Sequence, residues 1–143
     1  MRRRQLLAAV PLALAATAAQ AAGGGEEGKA EPYVNLSPIA LPVAVNGKLI
    51  NYVFVQLRLH LAHGADGAKM RAKEPWFRDA VVRAGHRTPF TVPTDYTRID
   101  ERRLTAVLLA QAKAIGGAGS FTRAELVSQT PKQRSRLPTP PGR

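Results

Sequence analysis

Residues 49–61, "LINYVFVQLRLHL", show the strongest alternation of side-chain character in the chain. From Val53 to Leu61 every second residue is valine or leucine. The residues between them are aromatic, polar or basic: Tyr52, Phe54, Gln56, Arg58 and His60. Because successive side chains of a β-strand point to opposite faces, this pattern predicts a long strand with an apolar core face and an aromatic, basic outer face.

A second strand is predicted directly before it, at residues 36–45, "LSPIALPVAV". Pro38 and Pro42 cannot donate ladder hydrogen bonds, so this strand should lie at the sheet edge or carry a bulge. The Asn46-Gly47 pair tolerates positive φ and is typical of a hairpin turn.

The turn length decides which residues of this hairpin face each other. A two-residue turn would place Ile39 opposite Phe54, whereas a three-residue loop, Val45-Asn46-Gly47, would place Ile39 opposite Val53. We favour the three-residue loop because it aligns the apolar faces, and a slip of one residue would turn every side chain over.

Two amphipathic helices follow in the prediction. The first begins near Pro75 after a short helical piece at residues 68–73, and it ends at Gly85. Its apolar positions are Phe77, Ala80, Val81 and Ala84. The second is capped by Asp100 and ends at Gly116-Gly117. Its apolar positions are Leu104, Val107, Leu108, Ala112 and Ile115.

The remaining segments complete a small α+β domain at residues 33–130. Residues 86–98 have two prolines and no period, so they are predicted to be a connecting loop. Residues 120–130 are predicted to form the last strand. The expected fold is a small antiparallel sheet with a long β-hairpin, packed against two amphipathic helices.

The first 21 residues, "MRRRQLLAAVPLALAATAAQA", have the features of a secretory signal peptide. A basic start precedes an apolar run and the small-residue pattern Ala19-Gln20-Ala21, which predicts cleavage after Ala21. The run at residues 6–19 would reach only about 21 Å as a helix, whereas a bilayer core is roughly 30 Å thick. A cleaved signal is therefore favoured over a retained anchor, and the expected location is the periplasm.

The signal also fits the twin-arginine pattern through Arg3, Arg4, Leu6 and Leu7. An ordinary secretory signal with an arginine-rich start is the alternative. Residues 22–32 are Gly-rich and polar and are predicted to be a flexible linker. Residues 131–143 are basic and Pro-rich and are predicted to be a disordered tail.

Charge and cysteine content restrict the partners and the chemistry. Removing the signal would take away three arginines and lower the formal net charge from +11 to +8. Such a chain attracts acidic partners, and its basic charge allows peripheral contact with anionic lipid. Nucleic acid is not an expected partner of an exported chain. The absence of cysteine excludes disulfides, thiol nucleophiles and thiolate metal sites.

No residue set predicts catalysis or cofactor binding. A zinc site could be assembled from His60, His63, His86 and Asp66, but no spacing brings them together, and solvated surface histidines are the simpler interpretation. Ser120 follows glycines without the strand–turn–helix context of a hydrolase nucleophile. The sequence therefore predicts no catalytic, cofactor or metal residues.

Protein–protein contact is the more plausible role. The outer face of the long strand, with Tyr52, Phe54 and Arg58, suits an interface. Trp76, Arg78 and Asp79 on the first helix are further candidates. Trp76 lies at the margin of that helix's apolar stripe, so it could either cover the core or anchor a partner.

Several segments together resemble the flagellar basal-body-associated FliL family, from Tyr33 to Gln129. The similar segments are the aromatic-led strand at residues 33–43, the long alternating strand at residues 52–61, the leucine-bearing helix at residues 104–115 and the closing strand at residues 125–129. The first helix is similar in its proline and in the apolar-Arg-Asp-apolar series. The proline is Pro75, and the series comprises Phe77, Arg78, Asp79, Ala80 and Val81.

The resemblance implies a stomatin-like periplasmic domain that associates with flagellar stator units and is not an enzyme. Members of the family keep a transmembrane helix, whereas this sequence predicts a cleaved signal. An exported envelope binding or scaffold module without a flagellar role is therefore the alternative. A small metal-binding periplasmic enzyme is a third interpretation. Self-association is expected if the chain is a FliL-like periplasmic domain.

Overall fold

The computed structural model describes residues 31–142, so the predictions for the signal peptide and most of the linker lie outside the described residues. The predicted α+β class is confirmed. The elements in chain order are β1 (Tyr33–Asn35), β2 (Ile39–Val45), β3 (Lys48–Leu61), α1 (Gly67–Ala72), α2 (Glu74–Arg87), β4 (Thr91–Val92), β5 (Asp95–Ile99), α3 (Glu101–Gly116) and β6 (Phe121–Pro131).

Strand β3 is the centre of an antiparallel sheet. β1 and β2 pair successively along one side of β3, and β6 pairs along its other side. All odd-numbered residues of β3 from Asn51 to Leu61 are buried, as the alternation predicts for its apolar face. The long strand thus organises the fold because it contacts every other strand of this sheet.

The hairpin between β2 and β3 differs from the favoured register. Its turn has two residues, Asn46 (φ 50°) and Gly47 (φ 75°), and Val45 faces Lys48. A register shift after Val43 then places Ile39 opposite Val55. The three-residue loop was wrong, but the apolar faces still coincide because the bulge supplies the extra residue that the short turn lacks.

The helices cover only one face of the sheet. Phe77 and Val81 of α2 and Leu104 and Leu108 of α3 are fully buried against the apolar face. The ring of Phe77 meets that of Phe121 edge-on, with centroids 5.3 Å apart.

Helix ends follow local chemistry with one exception. Asp66 and Asp100 accept hydrogen bonds from Lys69 N and Arg103 N and so cap α1 and α3. Helix α2, however, continues past Gly85 to Arg87. Gly85 is buried there, and a Cβ would lie 2.9 Å from Leu41 Cδ2. Close packing on β2, rather than helix termination, explains this glycine.

The predicted loop at residues 86–98 contains a second small hairpin of β4 and β5. Phe90, Tyr96 and Ile99 are buried and attach it to the core. Strands this short carry too few residues to show a period in the sequence.

The C-terminal segment differs from the predicted disordered tail, since its first residues are held by β3. Buried Asn51 donates from Nδ2 to Gln133 O at 3.0 Å and accepts from Gln133 N at 3.2 Å. Leu137 packs against the core further along.

Candidate interaction surface

The face of the sheet opposite the helices is not covered by any described element. It presents the even-numbered residues of β3 together with outward side chains of β1 and β6. Phe54 is 46% exposed and Tyr33 is 37% exposed. We call this surface the open sheet face.

One end of the open sheet face carries a group of charged side chains, here named the His60 cluster. Its members are Glu31, Arg58, His60, Arg123 and Glu125. Pairing of β3 with β6 sets Arg58 opposite Glu125 and His60 opposite Arg123. Opposite charges on facing strand positions stabilise a sheet, so register and charge agree for Arg58 and Glu125.

His60 occupies the middle of this cluster and is only 5% exposed. Its Nε2 lies 2.6 Å from Glu125 Oε2 and donates, because an ionised carboxylate can only accept. Its Nδ1 has no hydrogen-bond partner among the described residues, and Glu31 Oε2 lies 3.5 Å from it.

The hydrogen bond from His60 lowers the pKa of Glu125 below its ordinary value of 4.5. Burial acts against this shift, and the guanidinium groups of Arg58 and Arg123 act in the same direction as the hydrogen bond. Glu125 is therefore an ionised hydrogen-bond acceptor at neutral pH, which suits a fixed contact rather than proton transfer.

Arg58 joins the cluster to the aromatic part of the face. Its guanidinium lies 4.0 Å from the centre of the Tyr33 ring, and its Nε donates to Asn35 Oδ1 at 3.2 Å. A planar cation held over an aromatic ring is an ordered group whose remaining donors can receive a partner.

The structure separates the six residues predicted for an interaction face. Tyr52, Phe54 and Arg58 lie together on the open sheet face, as their alternation indicates. Trp76, Arg78 and Asp79 belong to α2, in the helix layer on the other side of the sheet. The two groups therefore form separate surfaces and cannot contact one partner site together.

The surroundings of Trp76 and Asp79 in α2 show what these two side chains contact. Trp76 is 59% exposed, which excludes the alternative that it covers the core. Asp79 pairs with Arg83 of its own helix at 2.7 Å, rather than with a neighbouring element. Such an exposed pair contributes little to stability.

Sequence reasoning missed Glu31, Tyr33, Arg123 and Glu125 as members of the site. Arg123 and Glu125 lie two residues apart on the last strand, which is the spacing of side chains on one strand face. That signal was readable, but which residues of β3 they face depended on the register. Glu31 and Tyr33 could not be placed without knowing that β1 returns along β3.

The candidates for metal binding and catalysis do not assemble. Within residues 31–142 there is no group of three or more histidine, aspartate or glutamate side chains that could hold a metal ion. His86 bonds to Val82 O on its own helix, at 2.9 Å. The Ser120 hydroxyl bonds to the carbonyls of Gly116 and Gly117, where it satisfies the end of α3.

No protein-family model matches the chain, and no curated protein matches it in sequence. Within the part of the chain that the structure describes, no helix is long and apolar enough to cross a membrane. The resemblance to the FliL family thus stays a prediction.

Proposed function

We propose that this chain is a non-enzymatic, exported binding domain whose open sheet face contacts a protein of the cell envelope. The observation that carries the proposal is that one face of β3 is buried under helices while the other presents exposed Phe54 beside Tyr52 and Arg58. Exposed aromatic side chains next to an ordered arginine are typical of interface centres.

The chemistry of the partner follows from charge. The chain has 21 basic and ten acidic residues, and the acidic side chains of the open sheet face are already paired within the His60 cluster. A partner with an apolar patch bordered by carboxylates would complement Phe54 and Arg58. Since the FliL resemblance implies stator units, a flagellar basal-body protein is the first partner to test.

Crosslinking from two positions in intact cells tests the surface. A photoactivatable residue at Phe54 should capture one partner, while the same residue at Trp76 serves as a matched aromatic control on the helix layer. The captured protein is then purified and its affinity measured. Phe54→Ala should weaken binding about tenfold or more, as expected for an interface centre, and Trp76→Ala should leave it unchanged.

Other outcomes would overturn the proposal or part of it. Capture from position 76 alone, or equal binding by Phe54→Ala and the unchanged chain, would exclude the open sheet face. Normal swimming after deletion of the gene, together with capture of a protein outside the flagellum, would exclude the flagellar partner. It would favour a general envelope scaffold instead.

A further inference from the structure

The two edge strands β2 and β6 differ in how far other groups occupy their outward-facing backbone positions. On the β2 edge, Thr91 Oγ1 accepts from Ala44 N at 3.1 Å and donates to Ala44 O at 2.8 Å. Pro42 has no N–H, and Ser37 N donates to Glu74 Oε1 at 2.8 Å. Side chains and proline thus occupy most of the positions at which another strand could pair.

Among residues 31–142, no side chain or strand covers the first half of the β6 edge in a comparable way. Among the described strands, β6 pairs only with β3. Near its C-terminal end Gln129 Oε1 accepts from Ile99 N, so β5 flanks that part. From Thr122 to Val127 each residue is exposed or half-buried.

The backbone direction along β6 follows from the pairing of β3. Lys132 N donates to Tyr52 O, whereas Leu36 N donates to Leu57 O. The backbone N–H and C=O groups of even-numbered β3 residues therefore point toward β6, and those of odd-numbered residues point toward β1 and β2. On β6, Ala124 lies opposite Leu59 and Leu126 lies opposite Leu57. Both of these β3 residues are odd-numbered, so their backbone groups point away from β6. In an antiparallel ladder, Ala124 and Leu126 therefore direct their N–H and C=O groups away from β3.

The charges of Arg123 and Glu125 restrict which strand, and in which register, can pair with the β6 edge. In an antiparallel pairing of β6 with its own copy centred on Ala124, Arg123 would face Glu125 of the second chain, twice by symmetry. A pairing centred on Glu125 would instead set two carboxylates opposite each other, which destabilises a sheet. The edge is thus complementary to itself in one register.

We propose that two copies of this chain associate antiparallel along β6, with a two-fold axis at Ala124, and so form one continuous sheet. The two Ala124 residues would exchange both N–H···O bonds, and two Arg123–Glu125 pairs would flank them. This inference is independent of the proposed partner, although the dimer would present two open sheet faces side by side.

Removing one N–H from each edge tests which edge is used. Ala124→Pro deletes the outward donor of β6, while Ala40→Pro deletes the equivalent donor of β2 and serves as the matched control. Light scattering over a concentration series should show a dimer for the unchanged chain and for Ala40→Pro. Ala124→Pro should weaken association about tenfold or more, since it removes both central hydrogen bonds.

A cysteine crosslink tests the register and does not depend on the proline variant folding. The chain contains no cysteine, and facing residues of a hydrogen-bonded pair have Cα atoms about 5.5 Å apart, within disulfide range. Ala124→Cys should form a covalent dimer on mild oxidation, and Ala40→Cys should not. A chain that is monomeric throughout the series, or a dimer that Ala124→Cys does not crosslink, would overturn the proposal.

Discussion

His60 shows how a polar residue on a strand's outer face becomes buried. Its position in β3 predicts exposure, yet Glu31, Tyr33 and Glu125 surround the ring. None of these neighbours is close to it in sequence. The side chain is therefore placed by its strand and buried by other segments of the chain.

Glu125 should make part of the stability depend on pH. Because its pKa is lowered in the folded chain, its ionised form stabilises the fold above the ordinary value of 4.5. This contribution is lost as the pH falls through the lowered pKa. We expect the free energy of unfolding in urea to decline with acidification in that range, and Glu125→Gln to flatten the decline.

Glu101→Gln is the control for this experiment, since Glu101 lies at the exposed start of α3, outside the His60 cluster. It should retain the acid-dependent decline. An equal decline in Glu125→Gln and in the unchanged chain would show that the His60–Glu125 contact does not stabilise the fold.

At the scale of elements, the β2–β3 hairpin depends on its turn. Both turn residues have positive φ, which side chains other than glycine adopt at a cost. Since no atom lies within 4 Å of a Cβ added at Gly47, the cost of a substitution there is conformational only. We expect Gly47→Ala to lower the free energy of unfolding by about 1 kcal/mol.

Gly119→Ala is a matched control for the turn. Gly119 also has open space around an added Cβ, but its φ is outside the left-handed region. Its substitution should change the urea midpoint little. Equal effects of the two substitutions would contradict the role assigned to positive φ at Gly47.

At the scale of the whole molecule, Asn51 joins β3 to two distant parts of the chain. Its Nδ2 donates to Tyr96 O and to Gln133 O, each at 3.0 Å, and its Oδ1 accepts from Tyr52 N at 2.9 Å. Asn51 is 4% exposed and its bond to Tyr96 O is buried, so loss of the side chain would leave the Tyr96 carbonyl without a partner in a buried place.

We expect Asn51→Ala to lower the free energy of unfolding by about 2–4 kcal/mol. Deletion of residues 133–143 removes two of the same hydrogen bonds. The two changes combined should therefore cost about 1–2 kcal/mol less than their sum. A double-mutant cycle in urea measures this coupling.

Deletion of residues 139–143 is the control, because it retains Gln133 and Leu137. It should not couple to Asn51→Ala. Full additivity of Asn51→Ala with the longer deletion would show that the tail is not held through this side chain.

The sequence was most informative where structure is local. Period two located β3 and its two faces, and helical spacing with Asp100 located α3. It failed where the outcome depended on segments meeting in space. The turn and the bulge together set the hairpin register, and strands β4 and β5 were too short to show a period.

The candidate site divides in the same way. Tyr52, Phe54 and Arg58 were readable as one face because strand geometry alone places them there. Trp76, Arg78 and Asp79 were predicted from helical spacing, which places them at the margin of the apolar stripe or outside it. That spacing does not tell whether the helix lies on the same side of the sheet as Phe54.

The sequence by itself thus determined the α+β class, the central strand and the aromatic, basic character of its outer face. These follow from side-chain periodicity, which acts over a few residues. Only the tertiary structure decided that α2 and Trp76 lie on the opposite side of the sheet and that His60 is buried between two glutamates. It also decided that no described strand other than β3 pairs with β6. Those features depend on strand pairing between distant segments, whose register no local pattern specifies.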